Sequence, residues 1–165
     1  MSIDAYLEVK DIPGQATDSQ HKNWIDVDSY SIQVKHTAPK NRKDIAAKGK
    51  SDFGDLEIKK RPDVATPLLF DASAKGNAID KITLELCTLA GGGNKLPFLK
   101  IFLTNSLVTK WDSSVVEDEK NDDYEIVETV CFNYETIEIH YSQQTRAGGK
   151  QVGQIVGKYD LINQK

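Results

Sequence analysis

"WIDVDSYSIQVKH", Trp24 to His36, alternates apolar and polar residues, as a strand with one buried face must. The alternation changes phase midway: Ile25 and Val27 set the first half, Tyr30, Ile32 and Val34 the second. Side chains in a strand repeat every two residues, so a slip of one turns the apolar set to the opposite face. A bulge or a barrel corner near Asp28 and Ser29 is therefore expected, in an antiparallel sheet that bends around its core.

The two-residue period recurs outward in both directions. Ile3, Ala5, Leu7 and Val9 alternate with Asp4, Tyr6, Glu8 and Lys10, and this first strand ends in a turn at Pro13 and Gly14. "FGDLEIKK" from Phe53, "DKITLELCTL" from Asp80, "LPFLKIFLTNSLVTKW" from Leu96, "IVETVCFNYETIEIHY" from Ile126 and "QIVGKYDLIN" from Gln154 read the same way. The period changes once. "TPLLFDASAKGN" sets Thr66 as N-cap, Pro67 at the first helical position and Gly76 just past the end, which predicts one short helix. Gly91, Gly92, Gly93 and Asn94 read as a hairpin turn, and "VEDEKNDDYE", Val116 to Glu125, as an acidic loop. Roughly eight short strands and one flanking helix predict a mainly β fold, an antiparallel barrel or sandwich, closure being the usual way such a chain hides its edges. One domain over residues 1–165 suits the length and the hydrophobic fraction of 39%.

Lys and Arg number 21 against 25 Asp and Glu, a net charge of −4, so the chain has no bulk attraction to phosphate or anionic membranes. The opening "MSIDAYLEVKD" lacks the basic and apolar regions of a signal peptide, and no window is apolar enough to span a bilayer. Synthesis in the cytosol, no membrane insertion and export by some other route are the expectations. Cys87 and Cys131 sit in apolar segments without metal-ligand spacing, as reduced core thiols would.

Catalytic chemistry finds little support. His21, His36 and His140 are scattered, with no pattern for zinc, and each reads as a surface or strand-end residue. Gly49, Lys50 and Ser51 resemble the tail of a phosphate-binding loop, but Asp44 stands where that loop requires glycine and a strand follows instead of a helix. No nucleophile elbow or dinucleotide fingerprint occurs. No enzyme, cofactor or metal is expected.

Two charge blocks stand out. Between Pro39 and Lys50, five basic residues (Lys40, Arg42, Lys43, Lys48, Lys50) face one acid, Asp44, for a net +4. Between Glu117 and Glu128, seven acids face Lys120 alone, for a net −6. A basic arm without aromatics on an acidic chain argues against nucleic-acid binding. A basic arm and an acidic loop on one chain can instead complement each other head to tail, the geometry that makes rings or filaments. Two independent solvated loops have the same composition.

"DAYLEVKDIPGQATDSQHKNWIDVDSYSI" resembles the opening of the Hcp family, the hemolysin-coregulated proteins of the bacterial type VI secretion system. The most specific part runs from IPG through H-x-x-W-I to SYS. The likeness continues through "GKSDFGDLEIKKRPDVATPLLFDASAKGNAIDKITLELC", "FLKIFLTNSLVTKW", "VETVCFNYETIEIHY" and "GKYDL", nearly the whole chain in order. It implies a barrel that assembles into a hexameric ring, with rings stacked into the system's inner tube. The tube is tipped by a spike, driven out by a contractile sheath, and can carry small effector proteins in its lumen; a free ring-shaped effector carrier is the alternative. It also implies that the loop from about residue 37 to 51 reaches neighbouring subunits. Lys40, Arg42, Lys43, Lys48 and Lys50 would then orient docking and Ile45 supply an apolar contact. Glu117, Asp118, Glu119, Asp122 and Asp123 are a candidate partner for it. Ser29, Ser31 and Gln33 alternate against Tyr30, Ile32 and Val34 and are a candidate lumen face, although an inter-subunit face has the same pattern. Three positions depart from the family: Ile32 where an aromatic is common, Glu135 where glycine is, and Tyr159 where tryptophan is.

Overall fold

The computed structural model describes residues 2–38, 50–89, 95–144 and 151–165. Twelve strands form three antiparallel sheets. The largest orders β12 (Gln151–Asp160), β11 (Thr136–Gln144), β8 (Lys95–Ser106), β7 (Ile79–Leu89), β1 (Ile3–Val9) and β2 (Ile25–Val27). Facing it are β3 (Ser29–Ser31), β6 (Leu56–Lys60), β10 (Asp123–Phe132) and β9 (Val108–Asp118). β4 (Val34–His36) and β5 (Ser51–Phe53) pair separately as a short ribbon.

The core lies between the two larger sheets, where every second residue is apolar. Leu7, Ile25, Ile82, Leu84 and Leu103 from one sheet meet Leu56, Ile58, Val130 and Phe132 from the other, all at 0% exposure. Each such side chain contributes roughly 1.5–3 kcal/mol by leaving water.

The phase change in Trp24–His36 has the expected cause. The chain passes from β2 in one sheet to β3 in the other at Asp28, whose N–H donates to Lys59 O at 2.8 Å. The core lies on opposite sides of the two sheets, so inward positions shift from Ile25 and Val27 to Tyr30. Two further crossings break stretches that read as single strands. One lies at Leu107, between β8 and β9, and the other at residues 133–135, between β10 and β11. They lock together: Leu107 N–H donates to Asn133 Oδ1 at 2.8 Å, Asn133 N–H to Leu107 O at 3.1 Å, and Glu135 N–H to Thr104 O at 3.0 Å.

A closed barrel was expected, and the sheets are open. Among the described residues no ladder joins β2 to β3 or β9 to β12; the core is sealed by corners and the helix instead of continuous pairing. The helix α1 (Thr66–Lys75) packs on β9, with Phe70 set edge-on to Trp111 at 5.3 Å between ring centroids. It ends as expected, on Gly76 with φ of 64°. Its start differs by one residue. Ala65 is the N-cap and has no polar side chain to cap with; Asp63 Oδ1 accepts from Ala65 N–H instead, and the Thr66 hydroxyl accepts from Asp63 N–H and donates to the Glu128 carboxylate.

The loop 10–24 folds back over the outer face of the six-stranded sheet and buries Tyr6, Ala16 and Cys87 against Trp24. Gly14 permits this. A Cβ there would lie 2.3 Å from Trp24 O, where the loop's two arms pair through Gly14 N–H to Asn23 O and Ala16 N–H to Trp24 O.

Candidate assembly surfaces

The ribbon of β4 and β5 brings both ends of the basic arm to one point. Val34 pairs with Phe53, Lys35 with Asp52 and His36 with Ser51, and Thr37 N–H closes the base by donating to Lys50 O at 3.1 Å. Lys50 is exposed. Lys40, Arg42, Lys43, Ile45 and Lys48 lie outside the described residues.

The acidic segment is largely strand, which corrects the expectation of a loop. β9 and β10 continue to Asp118 and Asp123, and a tight turn over residues 119–122 joins them. Glu117, Asp118 and Asp123 are strand residues, while Glu119 and Asp122, the latter with φ of 51°, form the turn. Asp118 stands directly opposite Asp123, a repulsive pairing. It is offset because the Asp118 carboxylate accepts from Lys120 N–H at 3.0 Å and Asn121 Nδ2 at 2.7 Å. Nearer the body, Arg61 reaches Glu125 at 3.2 Å.

Ser29 and Ser31 are exposed on the outward side of β3, in register with Lys59 and Glu57 of β6. Gln33 is exposed too but lies beyond β3, its side chain against Gly54. The three residues therefore do not share one strand face.

Two buried ion clusters were missed. His21, expected at the surface, is 1% exposed and stacks on Tyr6 at 4.3 Å. Its Nδ1 meets Asp18 at 2.6 Å and its Nε2 meets Glu85 at 2.8 Å. The His21 hydrogen bond holds the Asp18 carboxyl below its usual range. Lys95 bonds Tyr6, Asp4 and Asp18, and its amine is pushed up chiefly by the Tyr6 hydrogen bond; Lys100 reaches Glu85 at 2.8 Å. The His21, Glu85 and Cys87 ligand atoms lie within 4.8 Å of one another. Both ring nitrogens already hold carboxylates, however, and burial foremost pushes the Cys87 thiol up to about 12, so the cluster is built as an ion lock that pins the loop to the sheet. In the second cluster Lys60, fully buried, meets Glu128 at 2.7 Å and Asp63 at 2.9 Å. This ties the start of α1 to the root of the acidic hairpin.

Of the other two histidines, His36 is an exposed strand-end residue as expected, whereas His140 lies in the middle of β11, half-buried against Phe102. His36 bonds Ser51 at 3.0 Å, and His140 bonds Glu138 at 2.9 Å and Gln154 at 3.0 Å.

Comparison with known proteins bears on the whole chain. The family model described as "Type VI secretion system effector, Hcp" matches residues 6–141. Protein hcp1 of Pseudomonas aeruginosa is 27% identical over 155 residues, covering 94% of this chain and 93% of its own. The crystal structure of Hcp1 from Salmonella typhimurium is 26% identical with a TM-score of 0.78, covering 100% of this chain and 99% of that one. A structure of a type six secretion system protein is 25% identical with a TM-score of 0.88 and covers 99% of both chains.

Proposed function

The chain belongs to the Hcp family of secreted type VI secretion proteins, and from that premise we propose that it is a subunit of the inner tube. Six copies of this single domain close into a ring, and rings stack into a tube. The observation that carries the reading is the likeness to a type six secretion system protein along 99% of both chains. The chemistry of the surface supports it. The sequence between the two strands of a short ribbon carries a net +4, and a strongly acidic hairpin stands elsewhere on the same chain. Opposite charges on separate patches speed and orient docking more than they add affinity. The arm's Lys40, Arg42 and Lys43 orient the stacking of rings, and its Ile45 adds the apolar contact.

In this reading the protein acts mechanically. The tube, tipped by a spike and surrounded by a contractile sheath, is made in the cytoplasm and leaves the cell with the sheath's contraction, so no signal peptide is called for. The outward, polar side of β3, with Ser29 and Ser31, faces the lumen where small effectors travel.

Light scattering with negative-stain images of the purified chain tests the ring. Particles of about six subunits support it, and a monomer at every concentration overturns it. Reversing Lys40, Arg42 and Lys43 to Glu is expected to leave rings intact and weaken their stacking. Tube formation unchanged at low salt would refute that role for the arm.

A further inference from the structure

Both large sheets run out past each other, and their core-facing rows stay apolar where the other sheet no longer covers them. On β10 the inward residues Val130 and Glu128 are buried, whereas Ile126 is 49% and Tyr124 70% exposed. Val115, the β9 partner of Ile126, is 63% exposed. On β11 the inward series is Ile137, buried, then Ile139 at 39% and Tyr141 at 47%. Ile155, the β12 partner of Tyr141, is 72% exposed. Scattered apolar residues are ordinary on a surface, but two continuous strips that extend a core row are not.

We infer that the β9–β10 hairpin of one copy lies on the uncovered β11–β12 end of the next copy, completing that copy's sandwich. This rests on the ring reading above and names the surfaces that build it. Each strip is what the other lacks. The hairpin is an outgrowth of the four-stranded sheet, which is the layer that covers the inward face of the six-stranded sheet within a single copy.

Two observations favour a second copy as the occupant. Beside the exposed end lies an apolar groove of about 330 Å³ lined by Ile137, Ile139, Tyr159, Val34 and Phe53, with bare Gly157 leaving its floor open. The strands that frame it carry exposed Lys35 and Lys158, and Lys50 stands at the ribbon's base; the nearby acids are Asp52, opposite Lys35, Glu138, opposite Lys158, and Asp55 and Asp160 beside Tyr134 and Tyr159. The groove's rim is thus of mixed charge and offers three cations among its acids, while the hairpin tip carries Glu117, Asp118, Glu119, Asp122 and Asp123 with Lys120 as its one cation and gains by lying beside them. Donor and acceptor surfaces are different patches of one chain, so the contact is head to tail and propagates around a ring.

The test uses the full chain with two surface variants, Ile126→Lys on the hairpin and Ile155→Lys on the β12 side, and Ile162→Lys, 67% exposed elsewhere, as control. The milder pair Ile126→Ser and Ile155→Ser guards against loss of folding, which circular dichroism checks. Each interface variant is expected to fall roughly sixfold in mass, to a monomer, while the control keeps the wild-type mass. A one-to-one mixture of the two interface variants is expected to stop at a dimer, because one sound hairpin meets one sound groove and nothing further can add. Variants that keep the wild-type ring, or a mixture that stays monomeric, overturn this pairing and leave the ring reading standing. A wild-type chain that is itself monomeric overturns both.

Discussion

Replacing Lys60 by methionine removes the only cation from a closed polar cluster. The Lys60 amine is fully buried and bonds Glu128 at 2.7 Å, Asp63 at 2.9 Å and Arg61 O at 2.8 Å. Methionine nearly matches the volume, so the loss is electrostatic. Glu128, 1% exposed, would keep only the Thr66 hydroxyl at 3.1 Å, and its other oxygen has no partner among the described residues. Stripping one partner from a buried ion pair costs about 3–5 kcal/mol, because the remaining charge stays desolvated. For a chain of this length that lowers Tm by roughly 6–20 °C. Glu128→Leu should cost a similar amount for the same reason. The double variant should recover most of the loss, since a well-packed apolar pair in place of an ion pair is often neutral. Asp63, its side chain 8% exposed, keeps its bond to Ala65 N–H at 2.9 Å but loses the Lys60 amine, so the recovery is not complete. Urea unfolding of all four proteins, repeated at two concentrations to separate assembly from folding, gives the coupling energy. A Lys60→Met cost below about 1 kcal/mol, or single costs that simply add, would refute the reasoning.

Burial foremost pushes the Tyr134 hydroxyl from 10.0 and the Cys87 thiol from 9.0 each up to about 12. Each group's contribution to stability is therefore intact below its ordinary value and lost as the pH rises through the folded one, so an alkaline titration should show stability falling between pH 9 and 12. Tyr134→Phe should flatten that fall while costing about 1 kcal/mol at neutral pH through the lost bond to Gly54 O. Gly14→Ala should cost about 3 kcal/mol or more, read by thermal unfolding, because the new Cβ meets Trp24 backbone that has no room to move. Glu135→Gly should destabilise slightly, by about 0.5–1 kcal/mol in urea: Glu135 is not among the residues with positive φ, so glycine relieves no strain there, loosens the unfolded chain and gives up the exposed bond from Asn105 Nδ2 at 2.7 Å.

What the sequence disclosed about the fold follows from its period. The corner at Asp28 was legible because the inward residues change from odd to even numbers. The corner at Leu107 was masked: inward Leu103 before it gives way to Val108 just after it, odd to even, but a bulge opposite Cys131 and Phe132 returns the inward set to odd at Trp111, so the alternation looks continuous over the longer run. The third corner did leave a mark. Phe132 and Tyr134 give way to Ile137 and Ile139, the same slip as at Asp28, inside a stretch that reads as one run. Closure was misjudged for a different reason, since whether the outermost strands meet depends on twist and strand length, which alternation does not encode.

The ion clusters divide in the same way. Glu128 has the parity of Val130 and Phe132, so the pattern itself places a carboxylate in the core and demands a cation, which Lys60 supplies. Glu85 has the outward parity, and it is buried only because the loop 10–24 returns across the sheet and delivers His21 to it. That contact spans 64 residues and leaves no local trace beyond the Gly14 that lets the loop close.

Polar groups inside and apolar groups outside then call for opposite explanations. Glu128, Glu85 and His21 break the inside rule and find partners within the chain. Tyr124, Ile126, Ile139 and Ile155 break the outside rule and stay uncovered among the described residues, although they continue the same two-residue rows that build the core. A pattern that persists past the point where its own chain covers it is consistent at the level of the assembly and in conflict at the level of the monomer. The acids on the hairpin fit that division. Exposed edge strands invite indiscriminate pairing, and Asp118 opposite Asp123, with Glu117 and Glu119 beside them, makes the β9 edge a poor template for any strand that does not bring cations with it. On the pairing inferred above, that charge restrains the unassembled chain and selects the copy that docks.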